Sequence, residues 1–328
     1  MKKLLSAIAA LICVSAAAQT QQEVAIVPNW SKGEVVKYKM TDVNLKVNGA
    51  DTTDLSTASG TLVFKVLKVT SDSYKMSLTL KDMEYSSLSR KMLHEARQSK
   101  YGDTKFLYTV DLNGNLVSVD NVDKILAQGQ KLLDLSMGLM QQRYGDDMTQ
   151  EEYVSMYNTL KEVHESPDYI MAAMSKYMTL FTFHGHQMKF GEKYEGESQV
   201  GSFLPGIEAP ITLKSVAYLD SERSTEESAV AVMLRSAEGP EMVNALLEAL
   251  RKTVLASGPI TEEVEATMAE FEVAMKKADM SLKENRVIKF ENATGWPVSL
   301  SYDKDIDITV GGVVSRKSNT RTIERIYE

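Results

Sequence analysis

The chain has 328 residues, 45 acidic against 37 basic side chains and a formal net charge of -8, with 43% of its residues hydrophobic. That length supports a core of its own, and an acidic chain without a basic cluster argues against nucleic acid and anionic lipid surfaces as partners. The single cysteine, Cys13, excludes an intramolecular disulfide.

The first element is "MKKLLSAIAALICVSAAAQTQQ". Lys2 and Lys3 form a basic start, Leu4 to Val14 an apolar run, and Ala16-Ala17-Ala18 a small-residue cleavage site. This is the pattern of a secretory signal peptide. The run falls short of the roughly 20 apolar residues that span a bilayer. The reading is therefore a signal peptide over 1–18, cleaved after about Ala18, and a single α+β domain over 19–328 in the periplasm or outside the cell. Lipidation of Cys13 is disfavoured, because Ile12 stands where lipoprotein signals carry a small residue. No later stretch is apolar enough to cross a membrane.

Strand signals follow. "GEVVKYKMTDVNLKVNG" alternates as Val36, Tyr38, Met40 and then as Val43, Leu45, Val47. The change of phase near Thr41-Asp42 predicts a bulge or a bend. After the polar "ADTTDLSTASG", the segments "TLVFKVLKV" and "YKMSLTLKDM" flank a Ser71-Asp72-Ser73 turn and predict a hairpin with one wet face. Residues 86–104 read as a short helix or a long loop. "KFLYTVDLNGNLVSV" then predicts a type I′ hairpin at Asn113-Gly114.

Helical spacing dominates from about Asn121 to Phe183. A second helix starts at Thr149, with Glu152 completing a capping box. A third, "PDYIMAAMSKYMTLFTF", opens at Pro167 and is apolar on most of its circumference, which places it centrally. A second sheet block follows in "KYEGESQVGSF", "PITLKSVAYLD" and "SAVAVMLRS". Two more helices open at Pro240 and Thr261, the second with a stripe of Ile260, Val264, Met268, Phe271 and Met275. The last block is "MSLKENRVIKFEN", "PVSLSYDKDIDITV" and "NTRTIERIYE". In its middle strand Val298, Leu300, Tyr302, Ile306, Ile308 and Val310 alternate with polar residues, and Lys304 alone breaks the dry face. The fold class is α+β: a long twisted antiparallel sheet, half-barrel-like, with amphipathic helices packed on one face.

Chemistry-bearing patterns are sparse. His184-Gly185-His186 could offer two imidazoles to a metal, but no third ligand stands at a diagnostic spacing. Asp111, Asn113 and Asn115 resemble the start of a calcium loop, yet its glycine and closing glutamate positions hold Leu116 and Val122. Asp303, Asp305 and Asp307 read as the wet side of a strand. No P-loop, dinucleotide fingerprint or nucleophile elbow occurs. The expectation is a chain that is not an enzyme and needs no metal or cofactor. Of 18 methionines, 13 lie between Met137 and Met280, and methionine adapts to irregular apolar surfaces.

Trp30 with "KGEVVKYKM", "VDLNGNLVSVDNVDKIL", "FGEKYEGES" and "NATGWPVSLSYDKDIDITV" together resemble a family of exported Bacteroidota proteins that carry a domain of unknown function. More distantly, the chain is similar to periplasmic lipoprotein carriers with half-barrel sheets, and that likeness implies an apolar cavity between sheet and helices. Neither family supplies a catalytic residue at these positions. The expected partner is an apolar small molecule or lipid, touched by Met171, Met174, Met178 and Phe181 of the central helix and by Leu300 and Tyr302 of the facing strand. The alternative is a structural module of the cell envelope with a fully packed core, whose partner is another protein.

Overall fold

The computed structural model describes residues 23–145, 149–165, 167–200, 209–257, 261–310 and 312–327. The predicted signal peptide, with Cys13 and the Ala18 cleavage point, lies outside the described residues. So do the end of "KYEGESQVGSF" and the middle of the loop between the last two helices.

In chain order the elements are β1 (Glu23–Ile26), β2 (Val35–Asn48), β3 (Asp51–Val69), β4 (Ser73–Tyr85), α1 (Leu88–Tyr101), β5 (Thr104–Asp111) and β6 (Leu116–Val119). Then come α2 (Val122–Tyr144), α3 (Gln150–Glu165), α4 (Pro167–Met178), a 3-10 turn (Thr179–Phe181), β7 (His186–Lys189), β8 (Lys193–Val200), β9 (Ile211–Leu219) and β10 (Ser228–Glu238). The chain finishes with α5 (Gly239–Ser257), α6 (Glu262–Met275), β11 (Asp279–Glu291), β12 (Pro297–Val310) and β13 (Val313–Ile326).

Eleven strands form one open antiparallel sheet in the order β6-β5-β4-β3-β2-β13-β12-β11-β10-β9-β8, while β1 and β7 pair separately. Two meanders thus run outward from the centre, where β2, the first long strand, pairs with β13, the last. The helices are insertions in these meanders: α1 between β4 and β5, α2 to α4 after β6, and α5 with α6 between β10 and β11. This is the expected α+β architecture, and the expected helical blocks lie in the expected places. The open stretch at 86–104 resolves as helix α1.

The inner face of the sheet carries two apolar clusters. The first joins Tyr38, Leu62, Phe64, Met76 and Leu78 of β2 to β4 with Met174 of α4 and with Trp30, Phe181 and Trp296. The second joins Ile211, Leu213, Met280, Leu282 and Ile306 of β9 to β12 with Met242, Val243 and Leu246 of α5. Phe271 and Met275, from the predicted stripe of α6, pack against this second cluster. Ile260, the first residue of that stripe, lies outside the described residues.

Two local expectations are corrected, and one unassigned polar stretch resolves as strand. No bulge occurs at Thr41-Asp42: β2 stays in register with β13, and with β3 as far as Lys46. The inward phase of Val36, Tyr38 and Met40 therefore continues into Asp42, which is 1% exposed. The apparent slip arose because Asp42 is a polar residue on the dry face. Second, the polar "ADTTDLSTASG" is mostly strand, since β3 starts at Asp51 and pairs with the distal half of β2. Cross-strand pairing overrides weak strand propensity here. Third, the β5–β6 turn is not type I′, which needs positive φ at two central residues. Gly114 alone has it, at 82°, and Asp111 and Asn115 close a three-residue loop through Asp111 N donating to Asn115 O at 3.0 Å.

Candidate functional site: a cavity between α1, α4 and the sheet

A cavity of about 380 Å³ opens where α1 and α4 lie over β2 to β4. Its floor is Met40, Ala58 and Met83 from the sheet. One wall is Arg90, Leu93, His94 and Arg97 of α1, and the other is Ala172, Ala173, Lys176 and Tyr177 of α4. Arg90, His94 and Arg97 are spaced four and three apart, so helical geometry puts all three on one face. On α4 the two alanines keep the helix narrow and leave the space. A second compartment of about 180 Å³ shares Tyr85, Leu93, Arg97, Thr104, Ala173 and Tyr177 with the first. It is further lined by Leu80, Phe106 and Ile170, all buried.

The electrostatics of this lining are one-sided. Arg97 donates to Gln128 Oε1 at 3.3 Å. Burial lowers its pKa from the usual guanidinium value. Burial also lowers the pKa of His94, whose ring lies 5.6 Å from that of Tyr85. Lys176 donates a short hydrogen bond to Asp42 Oδ2. Even so, burial together with the nearby Arg321 lowers the Lys176 pKa by more than Asp42 raises it. Asp42 itself is held below the usual carboxylate range: burial pushes it up, but Arg321, Lys176 and the Asn319 amide together outweigh that. Two cations share one carboxylate, Lys176 through a hydrogen bond and Arg321 from 3.4 Å.

Asp42 belongs to a polar band that the register makes plain. Met233, Arg286, Tyr302, Arg321 and Asp42 are successive partners across β10, β11, β12, β13 and β2. Two residues further along, Arg235, Glu284, Lys304, Asn319 and Asn44 form a parallel rung. Both rungs face inward and separate the two apolar clusters. Glu284 Oε1 accepts from Arg235 Nη1 at 3.1 Å and from Arg286 Nη2 at 3.0 Å. Tyr302 lies between the guanidinium groups of Arg286 and Arg321, 5.5 Å from each, and burial drives its hydroxyl pKa up to about 12. Arg286 Nη1 also donates to Thr182 Oγ1 at 2.6 Å, and Arg321 Nη1 to the Lys176 carbonyl at 3.2 Å. The band thereby fixes the C-terminal end of α4, where Lys176 borders the cavity.

The six residues expected from the sequence to touch a ligand are distributed as follows. Met174, Phe181 and Leu300 are buried in the first apolar cluster, and Met171, Met178 and Tyr302 pack against it. Phe181 sits among Trp30, Phe64, Trp296 and His184, with ring separations of 5.6, 5.5, 6.1 and 5.2 Å. None of the six lines either compartment. The residues that do line them include Arg90, His94 and Arg97, which sequence reasoning missed because 86–104 reads equally as a short helix or a long loop. The four-and-three spacing of these basic residues was the available signal. For the polar band, the signal was Lys304, together with polar residues in the dry phase of neighbouring strands.

Of the other patterns, His184 is buried, donates from Nε2 to the Gly295 carbonyl at 2.8 Å, and has its pKa lowered by burial to about 4. His186 is exposed on β7. Among the described residues no group of three or more His, Cys, Asp or Glu is placed to hold a metal ion. The Asp111 carboxylate is occupied by its own loop, accepting from Asn113 N at 2.9 Å and Asn115 N at 2.8 Å. The Asp303–Asp307 row lies on the outer face, where Asp307 pairs with Arg316 at 2.6 Å and Asp305 accepts from Ser318 at 2.5 Å.

No family model and no curated protein matches this chain. Among solved structures, a lipovitellin described under lipid–protein interactions is similar over 91% of this chain and 26% of its own, with 9% identity and a TM-score of 0.41. The chain thus spans about a quarter of that protein. An outer membrane channel from Pseudomonas putida F1 is similar over 91% of this chain and 97% of its own, with 6% identity and a TM-score of 0.18. OmpT, an outer membrane protein of Vibrio cholerae, is similar over 90% and 99%, with 10% identity and a TM-score of 0.22. At these values the likenesses carry no argument about a ligand. Among the described residues no helix is long and apolar enough to cross a membrane.

Proposed function

We propose that this is an exported, non-enzymatic binding protein that holds an apolar small molecule or lipid between its sheet and its helices. The observation that carries the reading is the pair of adjoining compartments beneath α1 and α4, about 380 and 180 Å³, the inner one walled by Leu80, Phe106 and Ile170. Ligand sites are typically concave, mostly apolar and furnished with a few convergent polar groups, and these compartments fit that description. The signal-peptide pattern supports a periplasmic or extracellular location.

A second reading, a protein-interaction module of the cell envelope, is favoured by the tight packing of Met174, Phe181 and Leu300, which spend their surface on one another rather than on a guest. Native mass spectrometry of protein purified from its own host separates the two. A co-purifying small apolar adduct supports the binding protein. A bare mass, or a mass with a bound protein chain, supports the module.

A further inference from the structure

The two compartments differ in character along one direction. The outer one is lined by Arg90, Arg97, Lys176 and His94, and among the described residues no aspartate or glutamate lines it. Carboxylates stand behind the lining: Asp42 is engaged by Lys176, Arg321 and Asn319, and Asp103, which accepts from Gln98 at 2.9 Å, favours with Glu95 the charge on His94. The basic groups also act on one another, for Arg90 disfavours the charge on Lys176 and Arg97 that on His94. Like charges gathered around a concavity focus a positive potential into it. The inner compartment replaces these groups with Leu80, Phe106, Ile125 and Ile170. Arg97, Ala173 and Tyr177 border both.

We propose that the cavity takes a single-chain amphiphile with an anionic head, the head seated on Arg90, Arg97 and Lys176 and the chain running past Ala173 toward Phe106 and Ile170. This rests on the reading of the cavity as a ligand site and adds the class of ligand. The head supplies an anion to Arg90 and Arg97 and shares Lys176 with Asp42. Its hydrogen bonds are charge-assisted, and hence stronger than those of a neutral head. The chain buries its apolar surface against Leu80, Phe106 and Ile170. The chemistry is shared by carboxylates and phosphate monoesters, so a free fatty acid and a single-chain phospholipid are both candidate sources.

Calorimetric titration of the full chain with dodecanoate, dodecyl phosphate and dodecanol tests this. The expected result is that at least one anion binds about ten-fold or more tighter than the alcohol, and whichever anion wins identifies the source. Arg90→Gln, a change at an exposed position on α1, is expected to reduce that preference by weakening the anions. Equal binding of anion and alcohol overturns the anionic head and leaves the apolar site standing. Absence of binding by all three probes overturns both.

Discussion

Asp42 of β2 and Arg321 of β13 are register partners on the inner face of the sheet, with Arg321 Nε 3.4 Å from Asp42 Oδ1. Asp42 also takes hydrogen bonds from Lys176 and from Asn319 Nδ2, the latter at 2.8 Å. Removing one partner of a buried ion pair leaves the other charged and unsolvated, which costs about 3–5 kcal/mol. Asp42→Asn is therefore expected to lower the urea midpoint strongly. The pH dependence has a fixed sign. The folded carboxyl is held below its ordinary value, so its stabilisation is present above the unfolded pKa and is lost as pH falls through the folded one. The variant should show a shallower acid limb than the parent in urea melts taken across that range.

His184 adds an acid sensitivity of a different origin. Burial lowers its pKa to about 4, so between the unfolded value near 6.5 and that figure the unfolded chain binds the extra proton. Stability is complete above the unfolded value and falls as pH drops through this window, by on the order of 3 kcal/mol. His184→Gln retains a side-chain donor for the Gly295 carbonyl. It should lose the slope between pH 6.5 and 4 while costing some stability at neutral pH. A slope unchanged in the variant would refute the assignment.

Glu284 and Asp305 lie on adjacent strands with opposite facings. Glu284 is 5% exposed and serves Arg235 and Arg286, whereas Asp305 faces solvent and accepts from Ser318. Glu284→Gln should cost about 3 kcal/mol or more, and Asp305→Asn no more than about 1 kcal/mol. Chemical denaturation of the two variants side by side checks the inner and outer facings of these two strands at once.

Gly295 has a φ of 71°, and a Cβ placed there would overlap the Val27 carbonyl. This turn delivers Trp296 onto Trp30, with ring centroids 4.4 Å apart. Gly295→Ala should cost roughly 2 kcal/mol or more and change the near-ultraviolet signal of the tryptophan pair. A variant with unaltered stability and spectrum would show that the turn is not under this constraint.

The strands were legible wherever alternation was clean, as in Tyr74 to Leu80 and Leu300 to Ile308, and the helices wherever a cap or proline opened them, as at Thr149 and Pro167. Legibility failed where tertiary pairing overrode local preference. Asp51 to Ser59 is polar, and only its partnership with β2 makes it a strand. Asp42, Glu284, Arg286 and Arg321 are charged residues on a dry face, and each looks like an error of phase until four strands are laid side by side. The cavity was hidden for a related reason. Its space comes from Ala172 and Ala173, small residues on a helix whose methionines drew attention to its other positions.

The most direct test of the central claim is to fill the cavity. Ala173 borders both compartments, and Ala173→Trp places an indole where the guest is expected to lie. Native mass spectrometry of parent and variant, each equilibrated with dodecanoate and checked by circular dichroism, gives the answer. The account predicts a one-to-one adduct on the parent and none on a folded variant. An adduct of equal abundance on both would contradict it.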